Sequence, residues 1–179
     1  MFTMLRGEEK KDFTFEEVYR QLFPTIFRIS YRITGDTGIA EDLCHEAFIK
    51  YYERKQTFPS IDEVKYWLIR VVRNVSLNYE KRRARERMAF DRYKKSALTF
   101  DEGEEEKLLK EETRGYVQRA LDKLPHNLRV VIVLKEYGGL SYKEIGSIIG
   151  ISEGNVKVRV FRAREKLAKI FEEEKIYVS

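Results

Sequence analysis

Apolar residues recur at three- and four-residue intervals from Phe15 to Ile33, through Val18, Tyr19, Leu22, Phe23, Ile26, Phe27 and Ile29. That spacing predicts one amphipathic helix, or a pair divided near Pro24, since proline suits the first turn of a helical segment. Residues 34–38 read as a turn. Ala40, Leu43, Ala47, Phe48 and Tyr51 form a second helical stripe over 39–52, with Glu41, Asp42, Glu46 and Lys50 opposite. Residues 57–62 break the period and offer Ser60 or Asp62 as a cap. A third helix is expected over 64–87, with Val64, Trp67, Leu68, Val71, Val72 and Val75 as its apolar stripe. Later, Val117, Ala120, Leu121 and Leu124 mark an amphipathic segment over 114–124. Pro125 opens another over 126–137, whose run from Val130 to Leu134 reads as helix, although its β-branched content also suits a strand.

The pattern near the C-terminus is more specific. Ser141 precedes a short periodic segment, 142–149, and Glu144 stands three residues on as a capping-box partner. Gly150 supplies a tight turn, and Ser152 caps a second helix over 153–170. Ile145, Ile148, Ile151, Val156, Val160 and Leu167 would fix the angle between the two, which is the layout of a helix-turn-helix. The outer face of the second helix is basic: Lys157, Arg159, Arg162, Arg164, Lys166 and Lys169 face Glu153 and Glu165, a net +4. A helix that reads duplex DNA needs polar groups near base edges and cations for phosphate or guanine. Asn155, Lys157 and Arg162 meet those needs. A solvated basic face on an ordinary helical hairpin is the blander alternative; the caps, the turn glycine and the apolar spacing together favour DNA binding.

Composition narrows the architecture. The chain has 179 residues, enough for one ordinary domain or two small ones, and its 3 Pro and 10 Gly are spread as expected for helices joined by short turns. An all-α fold is expected. The net charge of +5 is unevenly distributed. Residues 81–95 hold eight basic and two acidic residues, a net +6, whereas 99–112 hold seven acidic and two basic, a net −5. The acidic stretch has no apolar face, so 96–112 is read as a flexible linker between helical domains at 13–95 and 113–179. The single cysteine, Cys44, excludes an internal disulfide and a multi-cysteine zinc site. No phosphate loop or metal spacing occurs, so no metal or other cofactor is expected. Catalysis by Cys44 with His45 is disfavoured because adjacent helical residues point in different directions. The charged first residues do not resemble a signal peptide, and no apolar run reaches the roughly 18 to 20 residues of a membrane span. A soluble cytoplasmic protein without membrane insertion, and not an enzyme, is expected.

The third helix carries amide, aromatic and basic side chains opposite its apolar stripe, a combination suited to unpaired bases and their backbone. Together with the stretch Ile39-Ala40-Glu41-Asp42-Leu43-Cys44-His45-Glu46-Ala47-Phe48-Ile49-Lys50, with Trp67 to Asn74 and Arg82-Arg83, with Leu124-Pro125, with Gly139 to Gly146 and with Ile151 to Leu167, it resembles a bacterial sigma factor. The resemblance is to the extracytoplasmic-function (ECF) group of the sigma-70 family and covers roughly residues 13 to 170. It implies that 13–95 is the family's domain 2, 113–179 its domain 4, and that the chain binds core RNA polymerase and reads two promoter elements in DNA. It further implies that Glu41, Asp42, His45 and Glu46 dock on the polymerase. Phe58, Ser60 and Ile61, in the loop that captures a flipped base, would serve the −10 element with Asn74, Asn78, Arg82 and Arg83. Lys135, Ser152, Asn155, Lys157, Arg159, Phe161 and Arg162 would serve the −35 element. An anti-sigma factor is an expected partner. An autonomous helix-turn-helix regulator is the alternative, and would need a dimer surface placing two recognition helices about 34 Å apart. The chain departs from the family's usual pattern at Ser60-Ile61, Gly146, Asn155 and Val158.

Overall fold

The computed structural model describes residues 13–94 and 115–174. The expected linker at 96–112 lies outside these residues. Seven helices form the described part: α1 (Phe15–Thr34), α2 (Thr37–Glu53), α3 (Ile61–Lys94), α4 (Tyr116–Asp122), α5 (His126–Glu136), α6 (Tyr142–Ile149) and α7 (Glu153–Glu173). No strand occurs among the described residues, in agreement with the all-α expectation. None of these helices is long and apolar enough to cross a membrane.

Helix α1 begins with a capping box between Thr14 and Glu17 and runs without interruption through Pro24. An interior proline costs roughly 3 kcal/mol. Leu22, Ile26, Ile29 and Ile33 are buried on either side of it, and each contributes roughly 1.5 to 3 kcal/mol by leaving water. Burial therefore outweighs the break, and the chain keeps one helix. Gly35 ends it at φ 72°, a left-handed conformation that glycine adopts without strain. Asp36 immediately caps α2 by accepting from the Ile39 amide, so Thr37 and Gly38, expected in the turn, are already helical.

These two helices pack on the first half of α3. The shared core is Val18, Leu22, Ile26, Ile29 and Ile33 of α1, Leu43, Cys44, Ala47, Phe48 and Tyr51 of α2, and Val64, Leu68, Ile69, Val72 and Val75 of α3. Ile69 replaces Trp67 and Val71 at the centre of the α3 stripe; those two are only partly buried. Small serines, Ser30 and Ser76, meet 3.4 Å apart where α1 crosses α3 and satisfy each other. Helix α3 begins at Ile61, with Ser60 accepting from the Glu63 amide, and continues past the expected end at 87. Its residues 81–93 are exposed.

In the second half α5 is central. Val130, Val131, Ile132, Val133 and Leu134 are all buried. Five successive apolar residues cover every side of a helix, so α5 is surrounded: α7 and α6 pack on it from within this half, and α1 packs on it from the first. The β-branched run is thus a helix enclosed by others. On α4 the expected stripe residues Ala120 and Leu121 are buried, as is Leu124 just beyond it, but Val117 is exposed and Gln118 is fully buried in its stead.

Candidate nucleic-acid interface

The helix-turn-helix follows from local chemistry. The Ser141 hydroxyl accepts from the Glu144 amide at 3.2 Å, and the Glu144 carboxylate accepts from the Ser141 amide at 2.7 Å. Gly150 closes α6 at φ 77°, and the amides of Gly150 and Ile151 both donate to the Gly146 carbonyl. Ser152 then caps α7 through the Asn155 amide at 3.2 Å. Gly146 has a distinct reason to be glycine: a β-carbon there would stand 2.6 Å from the Ile151 carbonyl oxygen. The turn comes this close because Ile145, Ile148, Val156, Val160 and Ala163 pack as one core.

Burying that side of α7 turns the other outward. Asn155, Lys157, Val158, Phe161 and Arg162 are exposed, with Phe161 at 62%, and Arg159 is half-buried. An exposed phenyl ring among cations is what a thymine methyl and its flanking phosphates would meet. Lys157 pairs with Glu153 one turn earlier at 3.1 Å. Its ammonium also lies 5.8 Å from the Tyr142 ring, and the Lys135 ammonium lies 4.7 Å from the same ring while donating to the Leu140 carbonyl. Tyr142 thus brings Lys135 and Lys157 to one place. The Ser152 hydroxyl is committed to its cap. Arg164 was not among the expected site residues. It bonds Glu136 at 2.6 Å and so ties α7 to the end of α5, a bond that raises its pKa further above the usual range.

On α3, Asn74, Asn78 and Arg82 succeed one another at four-residue steps and are all exposed. They form a row with about 6 Å between members along the axis. Asn74 accepts from Arg73 at 3.0 Å through its carbonyl oxygen, which leaves its NH2 group available. Burial lowers the pKa of the Arg73 guanidinium. Arg82 pairs loosely with Glu86 at 3.7 Å, and its guanidinium lies 5.8 Å from the Tyr79 ring. Arg83 is exposed on the next face. Asn78 and Arg82 also line a groove of about 360 Å³ with Glu46 of α2.

The three loop residues are placed differently. Phe58 packs between Tyr51 and Trp67, with ring centroids 6.4 and 6.1 Å away, and the Arg54 guanidinium stacks on both Tyr51 and Phe58. Ser60 caps α3, and Ile61 is packed against the core. Their side chains hold the loop, which stands about 20 Å from Asn74 along α3. Sequence reasoning missed Arg54, whose signal was a cation placed among aromatics.

On α2, Glu41, Asp42, His45 and Glu46 are exposed together. His45 meets the Tyr19 hydroxyl at 3.3 Å, and Glu46 meets Lys50 at 3.5 Å. Cys44 points the other way, into the core; burial first, then the nearby Glu41, pushes its thiol up to about 12. It cannot serve as a nucleophile beside His45.

Two family models match the chain: "Sigma-70 region 2" over residues 18–86 and "Sigma-70, region 4" over 114–167. The chain is 35% identical over 139 residues to the ECF RNA polymerase sigma-E factor of Escherichia coli, covering 73% of each protein. It belongs to the ECF group of the sigma-70 family. This sigma factor is also 32% identical over 163 residues to the ECF RNA polymerase sigma factor SigE of Mycolicibacterium smegmatis, which covers 90% of this chain and 63% of that protein. The chain therefore spans under two thirds of that relative's length. Its fold is shared by the sigma factor RpoE in complex with the anti-sigma factor NepR from Bartonella quintana, with a TM-score of 0.64, 20% identity, and coverage of 88% of this chain and 96% of that one. CnrH in complex with the cytosolic domain of CnrY is also similar, at a TM-score of 0.60 and 19% identity over 89% and 88% of the two chains. All the α2 and α3 candidates of this sigma factor fall in the region 2 match, and all the α5 and α7 candidates in the region 4 match.

Proposed function

We propose that this sigma factor binds core RNA polymerase in the cytoplasm and directs promoter-specific transcription initiation, with domain 2 at 13–95, a connector at 96–112 and domain 4 at 113–179. The observation that carries the reading is that one chain exposes two separate polar and basic faces: Asn74, Asn78 and Arg82 on α3, and Asn155, Lys157, Phe161 and Arg162 on α7. A duplex-reading helix alone would serve any regulator. A row of amides and cations suited to unpaired bases adds the means to hold melted DNA. In this reading α3 and the loop at Phe58, Ser60 and Ile61 serve the −10 element, with Arg83 on nearby phosphates. Helix α7, with Lys135 and the Ser152-capped turn, serves the −35 element, and Arg159 supports it from the edge. The acidic face of Glu41, Asp42, His45 and Glu46 docks on the polymerase. An anti-sigma factor would bind the same exposed faces. In this reading the protein contributes binding and positioning.

The test adds purified protein to core RNA polymerase and measures core binding, open-complex formation and promoter-dependent transcripts. Stable association with core and initiation from selected promoters is the expected result. Tight binding to duplex DNA without binding to core would overturn the reading in favour of an autonomous regulator.

A further inference from the structure

Every residue of α3 from 81 to 93 is exposed, yet three of them are large and apolar: Met88 and Phe90 at 61% and Tyr93 at 71%. Apolar residues scattered singly over a surface are ordinary. These three fall together at the end of a strongly charged stretch. Residues 81–93 carry Lys81, Arg82, Arg83, Arg85, Arg87 and Arg92 against Glu86 and Asp91, a net +4.

Their placement on the helix narrows the partner. Phe90 ends the four-residue series Asn74, Asn78, Arg82, Glu86, Phe90, so it continues the row of amides and cation at about 6 Å per step. Tyr93, three residues on, shares that side of the helix, and so do Arg83 and Arg87, seven and three residues before Phe90. Met88 stands on nearly the opposite side, about 200° of turn away. The apolar residues therefore do not make the single stripe that a membrane surface or a partner helix would bury. Rings set among cations, in line with amides, suit a strand of nucleic acid whose phosphates meet arginine and whose bases lie on ring faces. Glu86 pairs loosely with Arg82 at 3.7 Å. Its charge repels phosphate, so a strand crossing here turns its backbone toward Arg83 and Arg87 and its bases toward Phe90.

We infer that Phe90, with Tyr93 beside it, is a stacking platform for an unpaired base of promoter DNA, beyond the stretch held by Asn74, Asn78 and Arg82. The inference deepens the function proposed above and rests on it for the identity of the DNA. Phe90 lies eight residues, or about 12 Å, beyond Arg82 along the axis. At about 3.4 Å per nucleotide of a stacked strand, the base it receives is about three to four nucleotides from the phosphate at Arg82. Paired duplex offers no free base face at that point, so the contact forms only where the strands have parted. Every base has a π-face, so the platform holds the strand whatever its sequence.

The test measures, by fluorescence anisotropy, how the full chain bound to core RNA polymerase binds a promoter duplex with a single-stranded extension. An abasic site is placed at each unpaired position in turn. At one position the lost base should weaken wild-type binding about 5- to 160-fold, the worth of one stacked base. Phe90→Ala should be weaker than wild type by a similar factor and indifferent to that abasic site. Phe90→Trp should bind as wild type does, which separates stacking from damage to the helix. No charge is removed, so the slope of log affinity against log salt should not change. Equal binding of the extended DNA by Phe90→Ala and wild type, an equal loss on fully paired duplex, or a penalty that persists at every abasic position overturns the platform. Weaker binding of Phe90→Ala to core without DNA also overturns it. The full chain alone is titrated with a single-stranded oligonucleotide in parallel, where Phe90→Ala should again be the weaker and equal affinities overturn the platform. Failure of the wild type to bind core would instead remove the proposed function, with the platform still decided by the oligonucleotide.

Discussion

Arg162 gives the sharpest test of the α7 face. It is exposed and has no hydrogen-bond or ion-pair partner among the described residues. Arg162→Ala should therefore leave folding stability within about 0.5 kcal/mol of wild type. Its effect on DNA depends on what it touches, and the two cases differ in size and form. A bidentate contact to a base edge is worth about 1 to 3 kcal/mol of discrimination, or about 5- to 160-fold, confined to one base pair. A phosphate contact acts on every sequence and reduces the slope of log affinity against log salt by about 0.9. Between about 50 and 200 mM salt that change in slope amounts to only about 3.5-fold. The assay is fluorescence anisotropy of the polymerase-bound protein on duplexes selected for tight binding and on single-base variants, at both salt concentrations. Loss of discrimination at one position identifies a base contact, and a changed slope with discrimination retained identifies a phosphate contact. Unchanged affinity and unchanged slope would refute the assignment of α7 as the reading helix at this residue. Arg164→Ala is the control, since Arg164 is held by Glu136.

Three further outcomes are expected. Asn74→Ala should slow open-complex formation, read by permanganate reactivity of the melted strand, without weakening core binding; normal melting would remove Asn74 from the base-holding row. Phe48 is fully enclosed by the rings of Tyr19, Phe23 and Phe15, so Phe48→Ala should cost about 3 to 5 kcal/mol in urea denaturation, and a loss below about 1.5 kcal/mol would show that this core collapses around the gap. Cys44 should resist alkylation at pH 8 in the native protein and react rapidly in urea. Burial pushes its thiol from the ordinary 9.0 up to about 12, so the stability linked to it is complete below pH 9 and falls as pH rises from 9 to 12; a stability difference between wild type and Cys44→Ala that stays constant across that window refutes the shift.

The parts of the fold written in local chemistry were legible from sequence. Ser141 with Glu144, Gly150 and Ser152 each act within a few residues, and all three sit where their residue types predict. Helix α5 was ambiguous for a physical reason: a segment buried on every side loses the periodicity that distinguishes helix from strand. Of the stripe expected over 114–124 only Val117 failed, because Gln118 beside it is buried against Arg32, 86 residues away in the chain. Glu80 was invisible in the same way, since a carboxylate in a basic stretch gives no sign of its partners His126 and Arg129. At the candidate site, exposure of Asn74, Asn78, Lys157 and Arg162 agreed with their polarity. Ser60 was legible as a cap and caps α3, whereas Phe58 and Ile61 did not show their packing, because an aromatic stack and a core contact depend on neighbours distant in sequence.

Helix α3 runs unbroken from the core residues Val64 to Val75, through the row of Asn74, Asn78 and Arg82, to the exposed arginines. Each residue turns such a helix by about 100°, so the row works as a dial fixed to the bundle by its own shaft. One residue inserted after Val75 would swing Asn78, Glu80 and Arg82 by about 100° around the axis and would also carry Ser76 away from Ser30. Side-chain exchange along α3 alters the row one position at a time, whereas a change of length within the helix displaces every residue beyond it.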